Sequence, residues 1–268
     1  MGNAQKYALV TGASSGIGWH ISEELVKRGY SVIAVSNQPE KLSDLKLKME
    51  HAYDVDIITI NIDLAHENSA PQIFDYCEKH NIYIEVLVNN AGTLVFGEAV
   101  KVDYPLTKSI LNLHVTTPAL LCRLFGEQMK SRGNGLILNV SSISSVMPYP
   151  FISLYGPTKA FLRFFTRALR TEMKYYGIKV TCLIPGATAT SLYDHSKFNT
   201  PLKRKLGLMK IPESVAKAGV NALFRNRAEH IPGLLNKLII LLLPVIPYFI
   251  IGIIYKRTKS HLSYNSAS

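Results

Sequence analysis

Short apolar runs alternate with stretches of helical periodicity along most of this 268-residue chain. The runs are rich in Val, Ile and Leu and are bounded by turn residues, a pattern typical of strands in a parallel sheet. We predict strands at Tyr7–Thr11, Ser31–Ser36, Val55–Ile60, Val86–Val88, Leu136–Val140 and Lys179–Ile184, with a short last strand within His230–Gly233. The predicted helices are Trp19–Gly29, Pro39–Glu50, Glu67–His80, Leu106–Arg132 (interrupted at Pro118), Tyr155–Gly177 and Pro212–Arg225. This alternation predicts an α/β fold with a doubly wound parallel sheet, in a single domain with helices on both faces.

The start of the fifth predicted helix is marked by a proline. Pro157 is tolerated only in the first turn of a helix, so the helix should begin between Ser153 and Tyr155. The core-facing side of this helix is predicted to carry Phe161, Phe164, Phe165 and Leu169.

A glycine-rich turn joins the first strand to the first helix, in the order Gly12-Ala-Ser-Ser-Gly16-Ile-Gly18. Glycines let the backbone approach a pyrophosphate, and the helix N-terminus offers N–H groups and the positive end of a dipole. The spacing differs from the usual Gly-x-Gly-x-x-Gly, so a plain glycine-rich turn is the alternative. The predicted dinucleotide contacts are Gly12, Ser14, Ser15, Gly16, Ile17 and Gly18.

The end of the second strand distinguishes between two dinucleotides. An acidic residue there binds a free ribose 2′-hydroxyl, and its absence removes the main repulsion against a 2′-phosphate. Here Ser36 and Asn37 offer hydrogen-bond donors, and Lys41 is a nearby cation. The sequence therefore favours NADP(H), with NAD(H) as the alternative.

Small and polar residues follow four further strands at their carboxyl ends, where ligands of parallel sheets bind. They are Asp63-Leu64, Asn89-Asn90-Ala91-Gly92, Ser141 to Ser145 and Pro185-Gly186. We expect Asp63 and Leu64 beside an adenine and the other residues in the same crevice. The alternatives are a helix cap for Asp63 and plain turns or loops for the rest.

Tyr155 and Lys159 carry the candidate chemistry. Residues four apart lie on one helix face, about 5–6 Å apart at Cβ. A neighbouring ammonium lowers the pKa of a tyrosine, which is ordinarily about 10. Such a tyrosine can act as a general acid or base near neutral pH. The same pair also occurs on solvated helix faces, so its weight depends on the surrounding motifs.

Composition and charge separate the C-terminal part from the rest. The net charge is +11, and residues 200–268 hold 11 Lys/Arg against 2 Asp/Glu, a balance of +9. Three scattered cysteines without metal-binding spacing indicate a reducing compartment and no metal site. Because the chain shows no signal peptide at its start, we expect a cytoplasmic protein or one attached peripherally to the cytoplasmic side of a membrane.

Two C-terminal segments lie outside the strand–helix alternation. Residues 188–210 are polar and basic and are predicted to form a mobile flap over a substrate. The extension 234–268 contains the uncharged apolar stretch Leu238–Tyr255, flanked by lysines. Contact with a membrane surface, an apolar lid or oligomer interface over the pocket, and a true membrane span all remain open for it. No nucleic acid partner is expected, because the basic run 203–205 lacks interleaved aromatics.

In their order and spacing, these motifs resemble those of the short-chain dehydrogenase/reductase family, from Tyr7 to about Arg225. The resemblance implies a Rossmann-type fold over residues 1–233 and a nicotinamide cofactor. It implies that Tyr155 protonates a carbonyl oxygen as hydride arrives and that Lys159 lowers the tyrosine pKa and binds the nicotinamide ribose. It also implies that Ser142, or Ser141 as the alternative, holds the carbonyl oxygen. The crevice would be shaped by Asn89, Asn90, Ala91 and Gly92, with Thr188 near the carboxamide after Pro185 and Gly186.

One position departs from the family pattern. The asparagine usual in the long helix is replaced by His114, and Asn112 lies two residues earlier. Three hypotheses stay open: His114 acts in a water-mediated proton relay, Asn112 takes that role through a helix distortion, or His114 is a packed helix residue.

Tyr149–Tyr155 and Lys159–Phe165 resemble the branch of very-long-chain 3-oxoacyl-CoA reductases and 17β-hydroxysteroid dehydrogenases. This resemblance implies an NADP(H)-preferring oxidoreductase that interconverts a small lipophilic ketone and its alcohol. It also implies a homo-oligomer, as is common in the family. The alternative of a different class is a nucleotide-binding scaffold or regulator with weak turnover.

Overall fold

The computed structural model describes residues 5–190, 209–247, 249–253 and 255–256. Its strands are β1 (Tyr7–Thr11), β2 (Ser31–Ser36), β3 (Ile57–Asn61), β4 (Ile84–Asn89), β5 (Gly135–Val140), β6 (Ile178–Leu183) and β7 (Glu229–His230). They form one seven-stranded sheet in the order β3-β2-β1-β4-β5-β6-β7, and all neighbouring pairs are parallel.

Helices connect these strands along the described ranges. They are α1 (Gly16–Val26), α2 (Pro39–Ala52), α3 (Ser69–Lys79), α4 (Tyr104–Leu111), α5 (Thr117–Arg132), α6 (Tyr155–Met173), α7 (Pro212–Phe224) and α8 (Leu234–Leu242). Helix α6 begins at Tyr155, as Pro157 predicts.

Apolar side chains pack on both faces of the sheet. One cluster contains residues of α1, α2 and α7, and the other contains residues of α3, α5 and α6. Neighbouring residues of a strand point to opposite faces, so Ala8 belongs to the first cluster and Leu9 to the second. The prediction of a doubly wound α/β fold is confirmed.

The sheet order sets the position of the site. Strand β1 pairs with β2 on one side and with β4 on the other, so the direction of winding reverses between β1 and β4. In open parallel sheets, the crevice outside the carboxyl ends at this reversal is where ligands bind. The turn after β1, the loop after β4 and the serines after β5 all open on it.

Two local predictions were wrong. The third strand begins at Ile57 instead of Val55 and lies at the sheet edge, where its alternate residues are exposed. Phe161 and Phe164 do not face the core, since they are 39% and 63% exposed. Phe165 and Leu169 do pack on the core, as predicted, but the buried stripe of α6 also contains polar residues. This stripe consists of Tyr155, Lys159, Leu162, Thr166 and Leu169.

The long helix predicted at 106–132 is divided by a π-helical turn, Asn112–Thr116. Pro118 lies in the first turn of α5 and has no N–H to donate to the carbonyl of residue 114. The regular hydrogen-bond ladder is therefore interrupted directly before the proline. This distortion places His114 at the centre of the π turn.

The predicted flap, residues 188–210, lies mostly outside the described residues. Its two ends are described and are joined, because Thr188 and Lys210 form a parallel bridge. The Ala189 N–H donates to the Lys210 carbonyl, and the Lys210 N–H donates to the Ala187 carbonyl, each at 2.9 Å. Whether the flap covers a substrate stays a prediction.

Candidate active site

The glycine turn has a backbone shape that side chains would disturb. Gly12 and Gly16 have φ angles of 64° and 56°, in the left-handed region that favours glycine. A Cβ on Gly18 would overlap the Gly12 carbonyl oxygen and the Asn90 amide. Because α1 begins at Gly16, its unpaired N–H groups lie beside the turn, as a phosphate site requires.

Thr11, to which the sequence pattern assigns no role, joins the loops after β1 and β4. Its hydroxyl donates to the Val88 carbonyl at 3.2 Å and accepts from the N–H groups of Asn90 and Ala91 at 2.9 and 3.1 Å. The Asn90 amide donates back to the carbonyls of Thr11 and Gly12. A threonine at the end of the strand, directly before the first glycine, was the available signal.

The end of β2 carries hydroxyl and amide groups without a carboxylate. Ser36 is buried, and its hydroxyl donates to the Ser14 hydroxyl at 2.9 Å. Asn37 is exposed beside this pair and borders the same cleft. Asp63 is exposed as well, and its carboxylate accepts from the Ala65 N–H at 3.0 Å. This carboxylate caps a local turn and still borders the cleft.

A single cleft of about 530 Å³ joins these groups to the catalytic candidates. The predicted residues that line it are Gly12, Ser14, Ser15, Gly16, Ile17, Ser36, Asn37, Asp63, Leu64, Asn90, Ala91, Gly92, Ser141, Ser142, Tyr155, Lys159, Pro185, Gly186 and Thr188. Gly18 and His114 are not among the residues that line it. The cleft also includes Ile62, Thr93, Leu94, Leu113 and Thr190, which belong to no motif and were missed. Its glycine-shaped end fits the pyrophosphate of a dinucleotide.

Lys159 is buried one helical turn from Tyr155. Its Nζ donates to the Val140 carbonyl at 3.0 Å and lies 5.8 Å from the centre of the Tyr155 ring. Burial lowers the pKa of Lys159 to about 8, because water no longer solvates the ammonium. The ammonium therefore gains from any further acceptor that enters the cleft, such as a ribose hydroxyl.

Ser141 and Ser142 differ in what their hydroxyls contact. Ser141 is buried, and its hydroxyl donates to the Lys159 carbonyl at 2.7 Å. The Ser142 hydroxyl oxygen accepts from the Ser144 N–H at 3.2 Å. Because Ser142 accepts in this bond, its own proton can be donated into the cleft. The geometry favours Ser142 over Ser141 as the residue that holds a carbonyl oxygen.

His114 is buried with both ring nitrogens bonded. Its Nε2 accepts from the Thr93 N–H at 2.9 Å, so the proton lies on Nδ1, which donates to the Thr158 hydroxyl at 3.0 Å. The Thr158 hydroxyl donates in turn to the Tyr155 carbonyl at 2.8 Å. Burial, together with the Lys159 ammonium, holds the pKa of His114 well below its ordinary value. The imidazole is therefore neutral at physiological pH.

This network favours the hypothesis that His114 is a packed residue. A neutral ring with both nitrogens bonded does not fit a relay that titrates near neutrality. Asn112 does not take its place, because its amide donates to the Ala65 carbonyl at 2.9 Å, in the loop after β3. The helix distortion exists, but it does not direct Asn112 to the catalytic residues. The His114 ring meets the Tyr155 ring edge-on at 5.7 Å and packs beside it.

A doubly wound sheet with a glycine turn and a Ser–Tyr–Lys cluster on one cleft is the arrangement of a dinucleotide-dependent oxidoreductase. The short chain dehydrogenase family matches residues 6–199, and the chain belongs to this family. It is similar to very-long-chain 3-oxoacyl-CoA reductase-A of Danio rerio, with 36% identity over 193 residues, 70% of this chain and 59% of that protein. The corresponding reductase of Homo sapiens is 31% identical over 193 residues, 70% of this chain and 61% of that protein. The match therefore covers less than two thirds of these relatives.

Solved structures show the same fold. A short-chain dehydrogenase from Sphingobium yanoikuyae in complex with NADPH is 25% identical, with a TM-score of 0.78 over 85% of this chain and 88% of that one. L-Sorbose reductase from Gluconobacter frateurii, complexed with NADPH and L-sorbose, is 25% identical, with a TM-score of 0.77 over 86% and 96% of the two chains.

Proposed function

We propose that this protein uses NADPH to reduce a lipophilic ketone, a long-chain 3-oxoacyl thioester, to the corresponding alcohol. The observation that carries the proposal is that Ser142, Tyr155 and Lys159 share one cleft with the glycine turn. The relatives named as very-long-chain 3-oxoacyl-CoA reductases support the substrate class, and the NADPH complexes support the cofactor. A steroid-like ketone is the second candidate substrate.

Each catalytic side chain has a distinct role in this reaction. When bound in the cleft, NADPH would supply the hydride that the carbonyl carbon receives. The Tyr155 phenol donates its proton to the carbonyl oxygen, which otherwise becomes an alkoxide. The Ser142 hydroxyl donates a hydrogen bond to the same oxygen and orients the ketone. The Lys159 ammonium stabilises the phenolate left on Tyr155 and holds the ribose of the cofactor.

The phosphate preference follows from the end of β2. The paired hydroxyls of Ser14 and Ser36, with Asn37 beside them, offer donors to a 2′-phosphate. No carboxylate is present at Ser36, Asn37 or Gln38 to repel that phosphate. These residues support NADP(H) over NAD(H).

Several expectations about the surroundings of the enzyme also stay predictions. They include assembly into a homo-oligomer, a cytoplasmic or peripheral membrane location, and the division of the chain at residue 233. Within the part of the chain that the structure describes, no helix has the length and apolarity needed to cross a membrane.

The proposal is tested by binding first and turnover second. The purified full chain is titrated with NADPH and with NADH, and cofactor fluorescence is followed without substrate. We expect NADPH to bind at least about tenfold more tightly, which corresponds to about 1.4 kcal/mol. NADPH oxidation is then measured with a long-chain 3-oxoacyl-CoA and with a steroid ketone. Tight NADPH binding without any turnover would favour the scaffold alternative instead.

A further inference from the structure

Helix α8 has its apolar residues turned outward. A surface helix in water normally places its polar residues on the solvent side. In α8 the buried residue is Asn236, at 8% exposure, whereas the leucines of one helical face are 56–78% exposed. The same surface continues beyond the helix at positions that are 68–73% exposed. We call it the outer face, and it consists of Leu234, Leu238, Leu241, Leu242, Val245 and Phe249.

Helix α8, at the start of the segment that carries the outer face, lies against the rim of the cleft. The Asn236 amide donates to the Pro232 carbonyl at 2.7 Å, within the same turn of chain. It also packs so closely on Gly186 that a Cβ at that position would overlap it. Gly186 lines the cleft directly after β6. The inner side of α8 is therefore part of the cleft surroundings.

The end of the segment contacts two other loops near the cleft. The Tyr255 ring stacks on Phe151 at 5.2 Å, and Phe151 stacks on Phe96 at 5.5 Å. The Tyr255 hydroxyl donates to the Glu98 carboxylate at 2.7 Å. Phe151 lies four residues before Tyr155, and Phe96 follows two residues after Leu94, which lines the cleft. The outer face thus belongs to a segment anchored to three loops that border the site.

The charges around the outer face indicate what covers it. Lys237 and Lys256 are exposed, and residues 234–256 contain no Asp or Glu. Apolar residues edged by cations match the acyl chains and anionic headgroups at the surface of a bilayer. A two-fold pairing with a second copy of this chain would bring the cations of both copies to one interface, with no acid on the segment to neutralise them.

We propose that the outer face docks on the surface of an anionic lipid bilayer and holds the mouth of the cleft at that surface. Helix α8 has nine residues and is about 14 Å long, against about 30 Å for the hydrocarbon core, so it lies along the surface. The purpose of the docking rests on the proposed function, because a lipophilic ketone would enter the cleft directly from the lipid. The docking itself is measured without any reaction.

The test is co-sedimentation of the full chain with vesicles. One set is made from phosphatidylcholine and phosphatidylserine in equal parts, and the other from phosphatidylcholine alone. We expect clear sedimentation with the mixed vesicles and weaker sedimentation with the neutral ones. The double variant Leu238→Glu, Leu241→Glu should lose about tenfold or more in partitioning, because it places two charges where two leucines would enter the lipid. Both leucines are exposed, so the fold is not disturbed.

The matched control is the double variant Leu47→Glu, Tyr175→Glu. These residues are 65% and 85% exposed on other elements, and the change in charge is the same. The control should sediment like the wild type. The proposal is overturned if the wild type stays in the supernatant with both vesicles, or if Leu238→Glu, Leu241→Glu sediments like the control. The proposal is also overturned if the wild type forms a dimer in solution and does not bind vesicles, and only the outer-face variant is monomeric. That result would assign this face to a second copy of the chain.

A turnover assay separates this proposal from the proposed function. With a short, water-soluble ketone, the outer-face variant and the wild type should oxidise NADPH at the same rate. With a long-chain substrate presented in mixed vesicles, the variant should be slower by about the factor that it loses in partitioning. If the protein reduces the soluble ketone but does not bind vesicles, only the docking proposal is rejected. If the protein binds vesicles but reduces no ketone, only the proposed function is rejected.

Discussion

The two ends of the cleft are built by different means. At the glycine end, one continuous turn supplies a backbone shape, and a Cβ at Gly18 would collide with its neighbours. At the reaction end, side chains from separate elements converge: Ser142 follows β5, while Tyr155 and Lys159 project from α6. We propose that the first end binds the cofactor and that the second carries the chemistry. At the second end, burial lowers the pKa of Lys159 to about 8, because the ammonium loses its hydration.

Tyr155→Phe tests most directly whether cofactor binding and chemistry are separated between the two ends of the cleft. The variant keeps the ring packing but loses the proton donor, so kcat should fall by about a thousandfold or more. NADPH affinity should stay within about twofold, because the glycine end is unchanged. Steady-state kinetics and a fluorescence titration measure the two quantities. Tyr149→Phe, in the loop before α6, is the control and should retain activity; an active Tyr155→Phe would remove this tyrosine from the mechanism.

Gly18→Ala should show the opposite pattern. The added methyl group forces the glycine turn apart, which we expect to cost about 1–3 kcal/mol of stability and at least about tenfold in NADPH affinity. Thermal unfolding and the same titration measure these effects. Gly252→Ala is the control, since a Cβ there meets nothing within 4 Å. Unchanged affinity in Gly18→Ala would mean that the turn does not hold the cofactor.

The two ends also differ in how far the sequence predicts them. The glycine turn is contiguous, so its residues could be assigned from local pattern, and all the predicted contacts except Gly18 line the cleft. The bonds between Thr93, His114 and Thr158 join three distant segments, and no local pattern reveals them. The departure at His114 was visible in the sequence, but its neutral state depends on burial and on the bonds to both nitrogens.

The C-terminal part shows the same limit. Leu238–Tyr255 was recognisably apolar, yet its pattern does not say which leucines face outward. That depends on Asn236 and Tyr255, which contact loops far away in the sequence. The error at Phe161 and Phe164 has the same origin. The inward stripe of α6 includes buried Lys159, which a pattern of apolar positions does not predict.

Ser36→Asp tests the specificity of the glycine end without touching the chemistry. The carboxylate would repel a 2′-phosphate and accept from a free 2′-hydroxyl, so the NADPH to NADH preference should shift by about tenfold or more. Turnover with saturating NADH should match the wild type. Thr59→Asp adds the same charge at the exposed edge strand and is the control. An unchanged preference would place the 2′-phosphate away from the end of β2.

His114→Asn should affect the reaction end least. The variant carries the asparagine usual in the family, and turnover should stay within about threefold of the wild type, because both ring nitrogens of His114 are engaged in bonds to Thr93 and Thr158. Stability should fall by about 1–3 kcal/mol at pH 7, since buried partners lose their hydrogen bonds. Thermal unfolding and the pH dependence of kcat measure these effects, with Leu47→Glu as a surface control.

The sign of the pH dependence separates packing from proton relay. The folded-state pKa of His114 lies well below its unfolded value. Between these two pKa values, the imidazole is protonated in the unfolded chain but neutral in the folded protein. Wild-type stability should therefore fall as the pH drops below about 6.5, while His114→Asn lacks this loss. The stability gap between the two proteins should narrow toward acid. A step in the pH dependence of kcat near neutrality that disappears in His114→Asn would instead show that the imidazole transfers protons.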